Sequence, residues 1–487
     1  MATAYETVIG LEVHAQLLTR SKLFCGCSTA YGAEPNTHVC PVCLGLPGAL
    51  PVPNAQAIRL AIRGALALGC TVREHSVFER KNYFYPDLPK GYQISQLELP
   101  LNEHGRLQLK TAEVDRLVTI DRIHVEEDAA KNIHGGGSGD QTLVDFNRGG
   151  TPLIEIVSAP DLRSSEEASE YLRRVREILM FCGVNDGNLE EGSFRCDANV
   201  SIRRVGEEKL GTRTELKNIN SFRFVRKAID YEVARQKAVL GGGGRIVQET
   251  RLWNETQEKT VSMRSKEEAM DYRYFPDPDL LPIVVAPADI EQARASLPEL
   301  PAQRRVRYVE TLGLTPDDAA VITGHPTVAS LFEQAAEALV KAGKLSQDKA
   351  GKRVANFIQA EVLRHVQTEG LAASMPVEAG ALAALLATVE AGTLSGKMAK
   401  SVFADMIESG KSPAEIIEQR GLSQVSDTGE LEAIIEAVMD SSPDNVAAYR
   451  SGKTGLLGWF VGQVMKRTKG AANPKLVNEI LRGKLDA

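Results

Sequence analysis

The sequence has no long apolar run, few aromatic residues and no excess of positive charge. None of its apolar runs reaches the roughly 18 residues that a membrane-spanning helix needs, which argues against membrane insertion. Aromatic residues make up only 5% of the chain, as in an ordinary soluble protein. Because 57 Lys and Arg are outnumbered by 64 Asp and Glu, the net charge of −7 gives no general affinity for nucleic acid. Nucleic-acid binding would therefore need a local basic patch.

The N-terminal residues have neither the charged region nor the apolar region of a secretory signal, so the expected compartment is the cytoplasm. The chain has seven cysteines. An odd number of cysteines in a reducing compartment makes a disulfide framework unexpected.

The length of the chain and the change in its sequence pattern predict several domains. At roughly 150 residues per domain, 487 residues suggest about three, and 43% apolar residues are enough to build their cores. The first 290 residues alternate short strand patterns with helical ones, which predicts an α+β fold. After Pro282 the composition shifts to Ala, Leu, Glu and Lys with helical spacing, and a second helical unit follows from about residue 395. The predicted strands are 7–11, 117–125, 153–157 and 194–202, and the predicted helices before Pro282 are 54–68, 165–181 and 221–239.

Four of the seven cysteines form two close pairs, Cys25 with Cys27 and Cys40 with Cys43, separated by twelve residues. Each pair offers two thiolates from a tight turn, which is what a tetrahedral structural Zn²⁺ site needs. Four free thiols are the alternative, because the first pair has one intervening residue where two are commoner. The remaining three cysteines lie among apolar neighbours and are predicted to be core residues.

Acidic residues in strand contexts are the other candidate site. Glu12 and His14 are two apart on a predicted strand, so their side chains share one face. Three acids follow one another at Glu126, Glu127 and Asp128, a costly arrangement unless a cation or protons relieve the repulsion. Two strand patterns each place polar side chains on one outer face. These are Arg195, Asp197, Asn199, Ser201 and Arg203 in and directly after the strand predicted at 194–202, and Arg213, Glu215 and Lys217 within residues 212–218.

Carboxylates and one imidazole gathered from several strands could bind Mg²⁺, or Mn²⁺ because of the histidine, and hold nucleotide phosphates. The alternative is a solvent-exposed sheet face with cross-strand ion pairs. No complete phosphate-binding loop motif occurs in the sequence. The residues alone therefore favour a metal-dependent enzyme without fixing its reaction.

The C-terminal stretch from Arg450 to Lys484 contains eight basic residues and only one acidic residue, Glu479. Such a stretch can hold the phosphates of a nucleic acid. A solvated helix face explains the same charge count equally well.

Ten runs of residues, spread over nearly the whole chain, resemble the GatB family, the B subunits of tRNA-dependent amidotransferases. The resemblance implies a cradle domain at 1–293, an all-α helical domain at 294–405 and a small helical tail domain at 406–487 that binds tRNA, which favours the RNA interpretation of the basic stretch. The runs are 6–14, 81–87, 91–96, 126–128, 147–157, 190–199, 215–218, 271–276, 460–466 and 472–474.

The resemblance also implies a reaction. ATP phosphorylates the side-chain carboxylate of Glu misacylated on tRNA(Gln), or of Asp on tRNA(Asn), and ammonia then displaces the phosphate to leave the amide. The ammonia would come from a separate amidase, the A subunit of the complex, and a small C subunit would complete the heterotrimer. A noncatalytic tRNA-binding scaffold and a free-standing ligase that uses free ammonia are the competing hypotheses.

Site residues follow from the same resemblance. The family's kinase pocket falls on five residues, and Mg²⁺ would be held by Glu12, His14 and Glu127 among them. Periodicity alone does not choose Glu127 over Glu126. Lys81 is similar to the lysine that lines the ammonia path, and the four clustered cysteines are similar to a structural zinc site. The pocket residues are Glu12, His14, Glu127, Asp197 and Glu215, and the residues expected to bind tRNA are Lys453, Lys466, Arg467, Lys469 and Lys475.

Overall fold

The computed structural model describes residues 4–111, 114–134, 141–265, 271–343, 345–369, 371–422, 428–468, 472 and 474–486. It divides the chain into two compact units, residues 1–301 and residues 302–487. Within the described residues, no helix combines the length and apolarity that crossing a bilayer would take.

The first unit is built on a nine-stranded sheet with the order β14-β13-β12-β11-β1-β10-β7-β6-β2. Neighbouring strands are antiparallel except for β12 and β13, which are parallel. Smaller sheets join β15, β4 and β5, then β16 and β3, then β8 and β9. The strands are β1 Tyr5–Gln16, β2 Thr71–Val72, β3 His75–Ser76, β4 Glu79–Asn82, β5 Tyr92–Ser95, β6 Asn102–Lys110, β7 Asp115–Glu127, β8 Lys131–His134, β9 Thr142–Asp145, β10 Pro152–Ser158, β11 Phe194–Arg204, β12 Thr214–Lys217, β13 Glu249–Asn254, β14 Lys259–Ser265, β15 Phe275–Pro276 and β16 Ile283–Val284.

Four helices complete the first unit: α1 Ala55–Ala67, α2 Ser165–Phe181, α3 Phe222–Gly241 and α4 Pro287–Ala295. Side-chain oxygens of Asn54, Ser164 and Ser221 accept hydrogen bonds from backbone amides of the first turns of α1, α2 and α3, which fixes where these helices begin. The apolar residues of α2 and α3 pack with those of β1 and β11 in one large core. The helices therefore cover one face of the sheet.

The central strands show why one face is apolar and the other polar. In β11, Phe194, Cys196 and Ala198 are buried while Arg195 and Asp197 are only partly buried, as the sequence alternation predicts. In β1, Leu11 and Val13 are likewise buried in the core. Burying these side chains under the helices removes apolar surface from water and leaves their polar neighbours on the opposite face.

The second unit is mainly helical and has two apolar clusters, one formed by residues between 308 and 422 and one by residues between 431 and 485. The predicted all-α region also holds a short hairpin of β17 Gln367–Glu369 and β18 Ala372–Ser374. The α+β fold class is confirmed, whereas the three-domain boundaries stay a prediction. The helices are α5 Pro301–Leu312, α6 Pro316–Ile322, α7 Pro326–Lys341, α8 Gln347–Phe357, a π-helix Ile358–Val362, a 3₁₀ turn Leu363–His365, α9 Ala379–Glu390, α10 Gly396–Ser409, α11 Pro413–Arg420, α12 Thr428–Asp440, α13 Pro443–Arg450, a 3₁₀ turn Thr454–Leu456, α14 Leu457–Arg467 and α15 Pro474–Leu485.

Candidate functional site

Polar side chains of five neighbouring strands meet on the sheet face that the helices leave uncovered. Strand β1 lies between β10 and β11, and His14 is directly opposite Glu155 on one side and Arg195 on the other. Glu12 is opposite Asp197 in the same way. Residues directly opposite one another in antiparallel strands point to the same face. This surface, called the polar face below, comprises Glu12, His14, His124, Glu126, Glu155, Arg195, Asp197, Asn199, Glu215 and Lys217.

Two glutamates and two histidines form the innermost part of the polar face. His14 Nε2 lies 3.5 Å from a Glu155 carboxylate oxygen and 3.6 Å from Glu126. His124 Nε2 lies 3.3 Å from Glu155 and 3.5 Å from Glu126. The ligand atoms of His14, Glu126 and Glu155 all lie within 4.8 Å of one another, a spacing that suits one bound cation.

These four groups perturb one another strongly because they are buried together. Burial is the largest single effect and opposes ionisation of Glu155, but His124 and His14 together outweigh it and hold the pKa of Glu155 well below its usual range. Burial likewise opposes protonation of His124, yet the carboxylate of Glu155 raises its pKa to about 9. The arrangement therefore favours anionic carboxylates that attract a positive charge, whether protons on the imidazoles or a metal ion.

The donor set of this cluster fits a divalent cation. Two carboxylates supply the hard oxygen ligands that Mg²⁺ prefers, and the imidazole nitrogen of His14 is also suited to Mn²⁺. His124 contacts both carboxylates without belonging to the three-residue ligand set, so it is placed to orient them. The carboxylate of Glu126 also accepts a hydrogen bond from Ser95 Oγ at 3.0 Å.

A second group of acids lies beside the first on β1, β11 and β12. Lys217 Nζ lies 2.8 Å from Asp197 and 3.2 Å from Glu215. Asn199 donates a hydrogen bond to Glu12 at 2.9 Å. Burial, followed by the like charge of Glu155, raises the pKa of Glu12. The structure therefore brings Glu12, Asp197 and Glu215 onto the same face as His14, as their strand positions predict.

Glu127 lies elsewhere. Its carboxylate accepts a hydrogen bond from the Ile94 backbone amide at 2.9 Å and contacts Lys90 Nζ. Among the described residues it makes no contact with His14, and Glu126 occupies the place that the resemblance assigned to Glu127. This difference has a simple cause, since the two glutamates are consecutive on β7 and consecutive side chains point to opposite faces.

Two residues of the polar face, His124 and Glu155, were not singled out from the sequence, and three others, Arg195, Asn199 and Lys217, were placed on an outer strand face without a role. Glu155 is the one charged residue of the otherwise apolar strand β10. That isolated charge is a signal that sequence reasoning could have used, because a lone carboxylate in a buried strand needs a partner.

Lys81 lies on β4 near the carboxylates but does not pair with them directly. Its ammonium nitrogen is 5.0 Å from the ring centre of Tyr272 and 5.8 Å from that of Tyr83, so it rests against two aromatic rings. Burial is the largest single effect and would lower the pKa of Lys81, but the surrounding groups, Glu126 first and then Tyr274 and Glu155, together raise it. Lys81 is therefore a cation at neutral pH.

The four clustered cysteines converge as their spacing predicts. Their sulfur atoms all lie within 4.8 Å of one another, so the cluster can hold a metal ion. The Cys43 sulfur accepts a hydrogen bond from the Cys40 backbone amide at 3.2 Å and one from Lys22 Nζ at 3.5 Å. Donors aimed at sulfur favour a thiolate, which is the form that binds Zn²⁺. The other three cysteines, Cys70, Cys182 and Cys196, are buried.

The residues expected to bind tRNA belong to the second unit. Lys453 is exposed, and Lys466 and Arg467 are exposed in the last turn of α14. Lys469 and the side chain of Lys475 lie outside the described residues.

Comparisons with known proteins agree along the whole chain. A family model described as the GatB/GatE catalytic domain matches residues 7–291, and one described as the GatB domain matches residues 334–485. A relative from Geotalea uraniireducens is 54% identical over 485 residues, covering 99% of both chains. A relative from Myxococcus xanthus is 51% identical over 482 residues, covering 99% of this chain and 98% of its own. Both relatives are named as the B subunit of an aspartyl/glutamyl-tRNA(Asn/Gln) amidotransferase. On these matches the chain belongs to the GatB family.

Proposed function

We propose that this chain activates the side-chain carboxylate of Glu misacylated on tRNA(Gln), or of Asp on tRNA(Asn), at the expense of ATP. It would work in the cytoplasm in a heterotrimer with an amidase, the A subunit, and a small C subunit. The names of the relatives support the reaction, and the convergence of His14, Glu126 and Glu155 on one sheet face is the observation that supports placing the activation step in this chain.

The chemistry explains why the site needs anionic and cationic groups together. A carboxylate is a poor electrophile, so one of its oxygens first forms a bond to the γ-phosphorus of ATP. The bond between that phosphorus and the β,γ-bridging oxygen breaks, and ADP leaves with the electron pair. Ammonia then forms a bond to the carbonyl carbon, phosphate leaves, and the nitrogen loses a proton. The products are the amide, ADP and phosphate.

His14, Glu126 and Glu155 would hold the Mg²⁺ or Mn²⁺ ion that accompanies ATP. A divalent cation supplies charge neutralisation at the phosphate oxygens. His124, in contact with both glutamates, would keep their carboxylates oriented. The assignment of Glu127 as a ligand has no such contact in its favour, and Glu126 takes its place in the proposal.

Glu12, Asp197 and Glu215 would line the pocket beside the cation. Glu12 is the candidate to take up the proton from the attacking nitrogen, because burial and neighbouring carboxylates raise its pKa toward the range useful for a base. Lys217 would hold Asp197 and Glu215 in place through its two close contacts. Lys81, beside the carboxylates and among aromatic rings, would line the path by which ammonia arrives.

The cysteine cluster and the basic C-terminal stretch would have supporting roles. Zn²⁺ held by Cys25, Cys27, Cys40 and Cys43 would stabilise the fold without entering the chemistry. Exposed Lys453, Lys466 and Arg467 would contact tRNA phosphates, with Lys469 and Lys475 in the same stretch.

The test uses the assembled complex with His14→Ala and Glu155→Gln variants. Both should lose ATP-dependent formation of Gln-tRNA(Gln), whether the nitrogen source is glutamine or added ammonium, while glutamine hydrolysis by the amidase continues. His104→Asn is the matched control, because His104 is exposed on β6 and its backbone φ of 58° suits asparagine. Normal amidation by both site variants would favour a noncatalytic scaffold and refute the proposal.

A further inference from the structure

We infer that Arg195 is a further catalytic residue, which binds the phosphoryl group during its transfer, and that Asp128 positions it. The inference rests on the proposed function, since it assigns a role within the same reaction. Arg195 is a positively charged residue among the acids of the polar face. The proposed function gives it no role, either in the metal site or beside Glu12, Asp197 and Glu215.

Arg195 lies on the polar face beside the cation site. It lies on β11 directly opposite His14 of β1, so the two side chains point to the same side of the sheet. Its positive charge interacts most strongly with Asp128 and also with Glu126 and Asp197. A phosphoryl group next to the cation held by His14 would therefore be within reach of the guanidinium group.

One end of the guanidinium group is fixed and another part of it is free. The Arg195 Nη2 atom donates to Asp128 at 2.9 Å, and Gln16 Nε2 donates to the second oxygen of the same carboxylate at 2.9 Å. Asp128 has only 3% of its side chain exposed, so it cannot move easily. In contrast, the Nε–H of Arg195 is buried and has no hydrogen-bond partner among the described residues. A buried N–H group without a hydrogen-bond acceptor costs free energy, and a bound ligand with an acceptor oxygen would remove that cost.

The geometry of the Arg195 guanidinium group indicates a phosphate-like ligand. A guanidinium group presents its N–H groups in a rigid planar fork that matches the oxygens of phosphate. About a third of the Arg195 side chain, 34%, remains exposed, so a ligand can reach it. The two lysines of the site are engaged, because Lys217 pairs with Asp197 and Glu215 and Lys81 rests against aromatic rings.

The role is stabilisation of charge in the phosphoryl-transfer step. As the γ-phosphorus moves from the bridging oxygen of ATP to the carboxylate oxygen, negative charge spreads over its three remaining oxygens. Those oxygens would otherwise face the carboxylates of Glu12, Glu126 and Glu155. A fixed arginine offsets that repulsion without reorganising, because Asp128 already holds it in place.

The experiment compares Arg195→Gln, Arg195→Ala and Asp128→Asn with the matched control Arg203→Gln in the assembled complex. Arg203 lies on the same strand, eight residues along the chain from Arg195, and pairs with the carboxylate of Glu6 on β1. The readouts are ADP formation dependent on Glu-tRNA(Gln), the KM for ATP, and inhibition by ADP with aluminium fluoride, which mimics the transferring phosphoryl group.

Arg195→Gln should lower kcat on the order of a thousandfold with little change in the KM for ATP. It should also lose most of the inhibition by ADP with aluminium fluoride while still binding ADP. Millimolar guanidinium should restore part of the activity of Arg195→Ala, which a purely structural role would not produce. Asp128→Asn should lower kcat less, about tenfold, because it acts only by orienting Arg195, and Arg203→Gln should leave kcat unchanged.

Wild-type kcat and wild-type inhibition by the analogue in Arg195→Gln would overturn the inference. So would a loss of activity in Arg195→Ala that guanidinium does not restore, with glutamine hydrolysis intact. Inactive His14→Ala together with active Arg195→Gln would reject this role alone, whereas active His14→Ala would reject the proposed function itself.

Discussion

The cysteine cluster allows a quantitative prediction. The stretch between β1 and α1 is described throughout and contains no helix or strand, only an isolated bridge between Ser21 and Ser28. Leu23 and Phe24 anchor part of the stretch in the core, and the rest of its order depends on the cluster and on hydrogen bonds such as that from Asn36 Nδ2 to the Val144 carbonyl at 3.1 Å. Removing two ligands by Cys40→Ser and Cys43→Ser should release this stretch locally and leave the sheet intact.

The size of the expected change in local stability follows from the length of the loop that the metal closes. Between Cys27 and Cys40 the loop has about 14 residues, and closing a loop of that size restricts the unfolded chain by about 3 kcal/mol at 25 °C. A difference of about 3 kcal/mol corresponds to an increase of roughly a hundredfold in the local opening equilibrium. Amide hydrogen exchange in residues 18–53 should accelerate by that factor, while exchange in β1, β10 and β11 should not change.

The assay is hydrogen exchange measured by mass spectrometry, with zinc quantified by a chromophoric chelator on the same samples. Cys182→Ala is the control, because it removes a buried cysteine outside the cluster. The double variant should lack zinc and the control should retain it. Unchanged exchange in residues 18–53 after complete loss of zinc would refute the reasoning.

Two further predictions concern the basic stretch and the buried histidine. Replacing Lys466 and Arg467 by Gln should weaken tRNA binding and reduce the steepness of log affinity against log salt concentration by up to about 2. The control Lys209→Gln, at another exposed lysine, should change neither the affinity nor the slope. An unchanged slope in the double variant would contradict contacts of Lys466 and Arg467 with tRNA phosphates. In the metal-free protein, His124 contacts Glu126 and Glu155, which His14 also contacts, and the folded-state pKa of His124, about 9, lies above its ordinary value of 6.5. The protonated imidazole therefore stabilises the fold fully below about pH 6.5, and this contribution is lost as the pH rises through 9. Urea unfolding of the metal-free protein should show that the free energy of unfolding falls across this pH range, and His124→Gln should abolish this pH dependence. A free energy of unfolding that rises with pH would contradict the prediction.

Much of the fold could be predicted from local pattern. The predicted helix 165–181 is confirmed with the same bounds, because a serine cap precedes it and a clear apolar stripe runs along it. The predicted strand 194–202 is also confirmed, and its alternation gives the buried and polar sides correctly from Phe194 to Val200, whereas Ser201, expected on the outer side, is buried. Periodicity works in both cases because each element has one buried side and one polar side.

The site was harder to predict where both sides of a strand are buried. The last five residues of β7 are all buried, so alternation of burial does not distinguish Glu126 from Glu127. Only the pairing of β7 with β10 and of β10 with β1 brings Glu126 to His14. Strand pairing is a long-range property that a single sequence does not encode in local pattern, which is why Glu155 and His124 were not predicted as partners.

The central claim is that the activation step takes place on this chain, on the polar face around His14, Glu126 and Glu155. The most direct measurement is single-turnover transfer of phosphoryl from γ-labelled ATP in the assembled complex with Glu-tRNA(Gln) and no source of ammonia. The account predicts Glu-tRNA(Gln)-dependent ADP formation and a labelled acyl phosphate for the wild type, and neither for Glu155→Gln. Wild-type amounts of the labelled intermediate in Glu155→Gln would contradict it.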